Sequence, residues 1–343
     1  MRLLVTGGSG FIGSAFIRLT IKSEPGTEVL NFDSLTYAGN LENLTDVAEN
    51  SRYHFVKGNV VDPQAVDRTI VEWQPDAIVH FAAESHVDRS IISPQPAVET
   101  NFNGTFQLLE AVRKHKISRY LQISTDEVYG SINEPAEADE TYPLRPSSAY
   151  SASKAAADLL ALAYFKTYKL DVIVTRASNN YGPYQFPEKL IPLMISNAIE
   201  DQPLPVYGDG TQVRDWLWVD DHCRAIQAVL KKGRSGEIYN IGGSLALPNI
   251  DVVEKILTAV GKPNTLIKKV EDRPGHDQRY AITSDKVMTE MGWTPQVEFE
   301  QGLMKAVEWY RKNTDWIERV RSGEYRDYYE KNYAHRGTNL AQL

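Results

Sequence analysis

Two short segments carry side chains whose types and spacing suit acid–base and hydride-transfer chemistry. Asp126 and Glu127 place two adjacent carboxyl groups after an apolar run at residues 120–124. Tyr150 and Lys154 lie four residues apart, which puts a phenol and an ammonium on one face of a helix. An ammonium near a phenol lowers the pKa of the tyrosine, so that Tyr150 can take a proton from an alcohol while a hydride leaves. With a bound dinucleotide, such a site would support oxidation and loss of water on one substrate.

A glycine-rich segment near the start of the chain, GGSGFIG at residues 7–13, predicts that dinucleotide site. It stands between a predicted strand and a predicted helix. Glycines there allow a tight turn and a close approach of the backbone to a pyrophosphate, which meets the helix N-terminus. Asp33 ends the second predicted strand, where its carboxylate would accept hydrogen bonds from the ribose hydroxyls and repel a 2′-phosphate. No arginine stands beside Asp33, so we expect NAD rather than NADP.

Helix and strand signals alternate along the first half of the chain. Apolar runs predict strands at residues 3–5, 29–33, 53–56, 77–81, 120–124 and 172–175. Helical patterns lie between them, at residues 11–21, 63–72, 94–115 and 147–168. This alternation predicts an α/β fold with a Rossmann-type doubly wound parallel sheet.

The amino-acid composition changes after Asn179, where prolines and glycines become frequent. We therefore predict an NAD-binding Rossmann domain at residues 1–180, with later returns of the chain at about 208–245. A smaller, mostly C-terminal α/β domain at residues 181–330 would bind the substrate. Residues 331–343 form a polar tail to which the sequence assigns no role.

Composition narrows the possible partners. The chain has 343 residues and a net charge of -8, which argues against nucleic acid or an anionic membrane as the main partner. A single cysteine, Cys223, excludes an internal disulfide and a cysteine metal cluster, and we expect no metal. The sequence shows neither a basic leader nor a transmembrane run, so a cytoplasmic protein is expected.

Longer motifs carry a resemblance to a known family. Residues 81–90 are FAAESHVDRS, residues 178–192 are SNNYGPYQFPEKLIP, and residues 272–277 are DRPGHD. With Arg214-Asp215-Trp216 and the tyrosine–lysine pair, these motifs resemble the dTDP-glucose 4,6-dehydratase family, within the extended short-chain dehydrogenase/reductase superfamily. The resemblance covers nearly the whole chain.

The resemblance implies a three-step cycle on dTDP-glucose by an NAD-dependent lyase. Tyr150 takes the proton of the sugar 4-hydroxyl as hydride leaves C4 for NAD, and Thr125 donates a hydrogen bond to the 4-oxygen. Glu127 then removes the C5 proton, while Asp126 protonates the departing C6 hydroxyl. The hydride returns to C6, which yields a 4-keto-6-deoxy sugar nucleotide and regenerates a tightly held NAD. Asp126 must therefore carry a proton while Glu127 does not, and adjacent acids in a shielded site favour such a split.

The resemblance also implies which residues contact the ligands. The catalytic group comprises Thr125, Asp126, Glu127, Tyr150 and Lys154. The cofactor residues are Gly7, Gly10, Phe11, Ile12, Gly13, Asp33, Ser34, Leu35, Thr36, Asn59, Val60, Phe81, Ala82, Ala83, Ser85, Thr100, Ser124, Tyr150, Lys154 and Asn180. The substrate residues are Ser85, Thr125, Asn179, Lys189, Leu190, Pro205, Val206, Tyr207, Arg214, Asn249, Arg273 and His276. Among these, Arg214 is suited to bind the diphosphate bidentately, and Tyr207 to stack on the nucleoside base.

Two further expectations follow from the resemblance. The family usually forms homodimers through two long helices of each subunit, and the helices predicted at residues 94–115 and 147–168 fit that use. Asn59 stands where the family usually has an aspartate against the adenine amino group, so somewhat weaker NAD binding is expected. The segment at residues 244–247 and Gln278 also depart from the family pattern, outside the catalytic group.

The sequence leaves several alternatives open. Ser124 and Glu127 have the spacing of a capping box, so the acid pair could simply open a helix. A dehydratase for UDP- or GDP-sugars, or a 4-epimerase, would share the fold, although an epimerase needs the tyrosine and lysine but not the acid pair. Thymine and uracil differ by one methyl group, which a pocket detects by only about 1–3 kcal/mol. A silent nucleotide-binding sensor fits the fold as well, but such a protein usually loses part of the catalytic group.

Overall fold

The computed structural model describes residues 1–243 and 245–321. The strands in this part are β1 (Arg2–Thr6), β2 (Glu28–Asp33), β3 (Tyr53–Lys57), β4 (Ala77–His80), β5 (Arg119–Thr125), β6 (Val172–Ala177), β7 (Asn179–Tyr181), β8 (Leu204–Tyr207), β9 (Val213–Trp218), β10 (Ile238–Ile241), β11 (Ala246–Pro248) and β12 (Ile267–Val270). The predicted tail at residues 331–343 and the end of the predicted second domain, residues 322–330, lie outside the described residues.

Helices alternate with these strands. They are α1 (Phe11–Ser23), α2 (Pro63–Trp73), α3 (Val87–Ile92), α4 (Gln95–Ala97), α5 (Gly104–His115), α6 (Ala149–Tyr168), α7 (Leu190–Ile199), α8 (Val219–Lys232), α9 (Asn249–Val260), α10 (Asp285–Met291), α11 (Phe299–Lys312) and α12 (Thr314–Val320). Shorter helical segments are the 3₁₀-helices Leu41–Val47, Asp126–Tyr129 and Asn264–Leu266 and the π-helix Val98–Asn103.

Seven strands form one parallel sheet in the order β10-β6-β5-β4-β1-β2-β3. The chain moves outward from β1 to β3 and then returns to β4 on the other side of β1, so the order reverses at that point. Leu3, Leu4 and Val5 of β1 are buried on both faces of the sheet, as expected where helices cover both sides. The predicted Rossmann-type α/β fold is confirmed.

Helices cover the two faces of this sheet in separate layers. On one face α1, α8 and α10 pack on the strands in a core that includes Phe16 and Ile226. On the other face α2, α5 and α6 pack in a core that includes Leu108 and Ala161. Because ligands of doubly wound sheets bind outside the carboxyl ends of the strands at the point of reversal, this architecture places a site beyond β1 and β4.

Most of the chain after β6 builds a smaller region with its own core. In one small sheet β9 pairs in parallel with β7 and antiparallel with β11, and in another β8 pairs in parallel with β12. Together with α7, α9, α11 and α12 they enclose a core that includes Tyr181 and Trp218. β10 returns to the large sheet beside β6. The domain limits at residues 180 and 330 stay a prediction.

Local sequence signals explain where several helices begin. Asp62 caps α2, because its Oδ1 accepts hydrogen bonds from the backbone N–H groups of Gln64 (2.9 Å) and Ala65 (3.2 Å). Pro63 follows as the first helical residue, where its missing N–H is tolerated. Ser148 and Ser151 form a capping box at the start of α6, which fixes the helix that carries Tyr150 and Lys154.

The continuous helix predicted at residues 94–115 is wrong in one respect, because a π-helical segment separates α4 from α5. Asn101 lies in this segment and is buried. Its Nδ2 donates to the carbonyl of Glu84 (3.1 Å) and to Oγ of Ser153 (2.9 Å). The wider turn therefore directs an amide toward the loop after β4 and toward α6. Such π segments occur often at functional sites.

Two kinds of feature are absent from residues 1–243 and 245–321. In this part of the chain no helix is long and apolar enough to cross a membrane. The same residues hold no group of three or more histidine, cysteine or acidic side chains that could bind a metal ion. The thiol of Cys223 is buried.

Candidate active site

A cavity lies at the carboxyl ends of the central strands of the large sheet. The predicted site residues that line it are Gly7, Gly10, Phe11, Ile12, Gly13, Asp33, Ser34, Thr36, Asn59, Val60, Phe81, Ala82, Ala83, Ser85, Thr100, Ser124, Thr125, Asp126, Glu127, Tyr150, Lys154, Asn179, Asn180, Lys189 and Leu190. Segments far apart in the chain meet here because the carboxyl ends of parallel strands share one edge of the sheet. Leu35 is not among the residues that line the cavity.

The glycine turn forms a close-packed cradle at one end of this cavity. Gly7 has a φ of 69°, in the left-handed region that favours glycine. A Cβ atom on Gly7 would stand 2.5 Å from the backbone nitrogen of Ala82, and one on Gly13 would overlap the carbonyl oxygen of Gly7. Both positions therefore need glycine for the turn to pack against the loop after β4 and to present the N-terminus of α1.

Asp33 is oriented toward this cradle by two backbone hydrogen bonds. Its Oδ2 accepts from the N–H of Ser9 (2.9 Å) and its Oδ1 from the N–H of Leu35 (2.8 Å). Burial raises the pKa of Asp33, and the two N–H donors oppose that rise. Leu35 thus contributes its backbone to the orientation of Asp33, although its side chain does not line the cavity.

Thr125 makes a hydrogen bond to each of the two acidic residues that follow it. β5 ends at Thr125, and the 3₁₀-helix Asp126–Tyr129 follows. Oγ1 of Thr125 accepts the backbone N–H of Glu127 (3.2 Å) and donates to Oδ1 of Asp126 (3.3 Å). Thr125 therefore occupies the N-cap position, and the alternative in which Ser124 caps a helix with Glu127 is not formed.

The two carboxyl groups lie in different electrostatic surroundings. Burial raises the pKa of Asp126 well above its usual range, and the nearby carboxylates Glu127 and Asp215 raise it further. Burial also raises the pKa of Glu127, but the positive charges of Arg273, Lys189 and Arg214 oppose this rise. Oδ2 of Asp126 is buried without a hydrogen-bond partner among the described residues. The arrangement favours a proton on Asp126 and a charge on Glu127.

Tyr150 and Lys154 lie in the first turns of α6 and are both buried. Nζ of Lys154 donates to the carbonyl of Ile123 over 2.6 Å. Burial lowers the pKa of Lys154 to about 8, and the charge of Asp158 opposes that change.

The prediction that Lys154 lowers the pKa of Tyr150 is wrong for the protein without ligands. Burial raises the pKa of Tyr150, and the carboxylate of Glu127 adds to the rise, while a hydrogen bond with Thr125 opposes it. The ammonium is held at a backbone carbonyl, whereas the phenol lies close to the acid pair. A neutral phenol is therefore the resting state of Tyr150.

Lys189, Asn179 and Ser85 also line the cavity. Nζ of Lys189 donates to the carbonyl of Ser85 over 2.6 Å, which joins the loop after β4 to the segment before α7. Oδ1 of Asn179 is buried without a hydrogen-bond partner in the described part of the chain. This acceptor is therefore available to a ligand.

Seven predicted substrate residues do not line this cavity: Pro205, Val206, Tyr207, Arg214, Asn249, Arg273 and His276. The first three belong to β8, Val206 packs in the core of the smaller region, and Asn249 begins α9.

The cations among these residues make contacts of their own. The guanidinium of Arg214 is buried and lies 4.1 Å from the centre of the Tyr280 ring. Its Nη2 donates a hydrogen bond to the carbonyl of Asp277 over 2.8 Å. Nδ1 of His276 lies 2.6 Å from Oδ1 of Asp272. The positive charges of Arg214 and Arg273 both oppose the rise in the pKa of Glu127.

Comparison with known proteins now identifies the family. The sequence model of the GDP-mannose 4,6-dehydratase family matches residues 4–306 of the chain. The chain belongs to this family. A dTDP-glucose 4,6-dehydratase of Shigella flexneri is 51% identical over 97% of this chain and 99% of that protein. The resemblance predicted from the sequence motifs is confirmed.

Solved structures of the family extend this comparison to three dimensions. The crystal structure of dTDP-glucose 4,6-dehydratase from Bacillus anthracis in complex with NAD is similar with a TM-score of 0.88 and 51% identity, covering 93% of this chain and 99% of that one. The enzyme of the same name from Streptomyces venezuelae, with NAD and a thymidine nucleotide bound, is similar with a TM-score of 0.91 and 50% identity, covering 93% and 100%.

Several residues that line the cavity are not among the predicted site residues. These are Phe32, Ala38, Gly39, Gly58, Glu84, Ile123, Ala177, Ser178, Gln185, Phe186, Glu188, Trp216 and His222. Most of them lie within two residues of a predicted site residue, and several lie inside the quoted motifs, so the sequence held a signal that could have found them. His222 is different, because it reaches the cavity from α8. Its Nδ1 lies 2.9 Å from Oδ1 of Asn180, and burial lowers its pKa to about 3.

Proposed function

We propose that this protein is a dTDP-glucose 4,6-dehydratase, which converts dTDP-glucose to dTDP-4-keto-6-deoxyglucose and water with NAD as its cofactor. The observation that carries the proposal is the pair of carboxyl groups in the cavity, buried Asp126 and half-buried Glu127, whose surroundings favour opposite protonation states beside Tyr150 and Lys154. A proton donor and a proton acceptor at one site are what elimination of water requires. The similarity to dTDP-glucose 4,6-dehydratases of about 50% identity over nearly the full chain supports the same reaction.

The cavity fits NAD. Gly7, Gly10 and Gly13 line the cavity at the N-terminus of α1, where free N–H groups would meet a pyrophosphate. The carboxylate of Asp33 stands at the end of β2, where a ribose would lie and a 2′-phosphate would be repelled. When bound, NAD supplies the hydride acceptor for oxidation at C4 and the hydride donor for C6. The cofactor roles of the other predicted residues are part of this proposal.

The chain's own groups would move the protons. Tyr150 would first lose its own phenol proton to solvent, which the positive charge of bound NAD would favour. The phenolate would then take the proton of the 4-hydroxyl, while the hydroxyl of Thr125 stabilises the developing charge on the 4-oxygen. The 4-ketone acidifies the C5 proton, which passes to Glu127. Asp126 gives its proton to the C6 hydroxyl, which leaves as water. A proton then returns to C5 as C6 receives the hydride. The sugar has then lost two hydrogens and one oxygen, which is one molecule of water.

The substrate diphosphate needs cations, and three lie near the acid pair. We assign Arg214, Arg273 and Lys189 to this role, because a guanidinium binds phosphate oxygens in a planar, bidentate manner and all three lower the pKa of Glu127 from their present positions. Asn179 and Asn249 each retain a buried, unpaired carbonyl oxygen in the described part of the chain and are assigned to the substrate as well. The homodimer and the cytoplasmic location stay predictions.

A 4-epimerase is the main alternative. The UDP-glucose 4-epimerase of Thermus thermophilus is 31% identical to the chain, with a TM-score of 0.85, so the fold does not separate the two activities. Epimerisation at C4 needs the tyrosine and the lysine but no acid at C6. The carboxyl pair after β5, with one member kept protonated, therefore favours the dehydratase.

Mass spectrometry of the sugar nucleotide tests the proposal directly. The purified protein is incubated with dTDP-glucose and no added NAD, and parallel reactions contain UDP-glucose or GDP-mannose. Loss of one water from dTDP-glucose is expected, because the cofactor is regenerated in every cycle and stays bound. An unchanged mass with NAD supplied, or loss of water only from a UDP- or GDP-sugar, would contradict the assignment to dTDP-glucose.

A further inference from the structure

We propose that Asp88 is a positioning residue for the nucleotide end of the substrate, because its two carboxylate oxygens hold Tyr207 and Arg273 in place. This inference rests on the proposed function, which assigns Tyr207 to the nucleoside base and Arg273 to the diphosphate. Asp88 itself lies outside the catalytic group and does not line the cavity. Its contribution would be made through the two side chains that it binds.

Three separate segments of the chain meet at this carboxylate. Asp88 lies in the first turn of α3, which follows β4 of the large sheet along the chain. The hydroxyl of Tyr207, at the end of β8, donates to Oδ2 over 2.6 Å. Nη1 of Arg273, in the loop after β12, donates to Oδ1 over 3.1 Å. Asp88 thus joins the large sheet to two segments of the smaller region.

The surroundings of Asp88 make these two bonds strong constraints. Its residue surface is only 5% exposed, so water competes little for the carboxylate. β8 and β12 are paired strands, with Tyr207 opposite Val270, so their ends approach Asp88 together. A buried carboxylate that accepts from a guanidinium and a phenol stays charged, and charge-assisted hydrogen bonds are stronger than neutral ones.

The unpaired edge of the Arg273 guanidinium points to a ligand. Asp88 binds Nη1 of Arg273, while Nε of the same guanidinium is buried without a hydrogen-bond partner among the described residues. A buried, unpaired N–H donor is costly unless an acceptor arrives, and a phosphate oxygen is the acceptor that a guanidinium fits best.

Tyr207 is held in a corresponding way. Its hydroxyl is tied to Asp88, and its ring stands edge-on to the ring of His276 at a centroid distance of 6.0 Å. The phenol is therefore fixed at its tip, while the ring remains suited to stacking on a base. Fixing Tyr207 and Arg273 before the nucleotide arrives reduces the ordering cost of binding.

Four variants of the full-length holoenzyme test this role. Asp88→Asn removes the charge and one acceptor, and Tyr207→Phe keeps the ring but removes its bond to Asp88. The double variant Asp88→Asn/Tyr207→Phe measures the coupling between them. Asp67→Asn is the matched control, because Asp67 also binds two donors, Lys114 and His115, but on the exposed surface. The readouts are kcat and KM for dTDP-glucose, the Kd of dTDP by calorimetry, and the amount of NAD retained.

We expect Asp88→Asn to weaken nucleotide binding and to leave the rate of the chemical steps nearly unchanged. Asp88→Asn should raise KM and the Kd of dTDP by about 10-fold or more, since a hydrogen bond to a charged group contributes that much to affinity. Its kcat should stay within about twofold of the wild type, because uniform binding rather than transition-state stabilisation is lost. Tyr207→Phe should raise Kd by a smaller factor, the double variant should be less than additive, and Asp67→Asn should match the wild type.

Specific results would overturn the inference. An unchanged Kd for dTDP in Asp88→Asn would do so, as would a parallel loss of kcat, NAD and affinity, which indicates a structural role. If Asp88→Asn does not fold, the Kd of dTDP for the Tyr207→Phe variant becomes the deciding measurement. An unchanged Kd in that variant excludes the positioning role of Asp88. If the wild type binds dTDP but does not dehydrate dTDP-glucose, the proposed function fails while the comparison of Kd values still judges Asp88.

Discussion

Oγ1 of Thr125 donates its proton to Oδ1 of Asp126 over 3.3 Å and accepts the backbone N–H of Glu127 at 3.2 Å. One threonine thus orients both members of the acid pair. A hydroxyl has a single proton that rotates to suit its partners. Donation to a sugar 4-oxygen would therefore release the bond to Asp126, and the two events are coupled in the proposed cycle.

Two replacements of Thr125 should distinguish the contribution of its side-chain shape from that of its hydroxyl group. Thr125→Val keeps the branched shape but removes the donor, and we expect kcat to fall by about 10²–10³-fold, as for loss of one donor to a developing oxyanion. Thr125→Ser keeps the hydroxyl and should retain most of the activity. Steady-state kinetics on dTDP-glucose with both variants measures this, and equal losses in the two variants would argue that the hydroxyl is not used.

The acid pair should be required for loss of water but not for cofactor binding. Asp126→Asn cannot protonate the leaving hydroxyl, and Glu127→Gln cannot remove the C5 proton. Each should lower the rate of elimination by about 10²–10⁴-fold, the usual contribution of a positioned acid or base. The measurements are release of dTDP-4-keto-6-deoxyglucose and the NAD content of the purified protein. Near-normal turnover in either variant would refute the assigned role.

The acid limb of the pH profile should depend on Lys189. Burial raises the pKa of Glu127, and the charge of Lys189 is one of the three that oppose the rise. Glu127 acts as a base only when ionised, so activity falls as the pH drops through its pKa. Lys189→Met removes a positive charge, raises that pKa further and should move the acid limb of kcat/KM to higher pH. The exposed Lys268 provides the control variant, Lys268→Met, whose limb should not move.

Gly7 should be intolerant of any side chain. An alanine there would have to keep a φ of 69° and place its Cβ 2.5 Å from the nitrogen of Ala82. The left-handed backbone alone costs about 1–2 kcal/mol, so Gly7→Ala should unfold at lower temperature and retain little NAD. Gly26→Ala is the matched control, since a Cβ there meets no atom within 4 Å. Thermal unfolding and NAD content are compared, and a Gly7→Ala protein that retains NAD like the wild type would contradict the expectation.

The sequence by itself predicted a doubly wound parallel sheet and the polar residues that follow β5 at its edge. The apolar run at β5 and the polar residues after it, Thr125 to Glu127, are local signals, because strands are recognised by burial and their ends by the return of polarity. Tyr150 and Lys154 share a helix face through spacing alone. Once the strands are parallel, their carboxyl ends meet, so these short segments lie around one cavity.

Only the tertiary structure decided which groups surround each of these side chains. Asp88 binds Tyr207 and Arg273, which are 119 and 185 residues away in the chain, and no local pattern encodes such a pairing. The pKa of Tyr150 rises rather than falls because burial and the neighbouring carboxylate of Glu127 raise it more than the hydrogen bond with Thr125 lowers it. Burial and long-range charge depend on everything that packs nearby, and spacing along the chain does not contain that information.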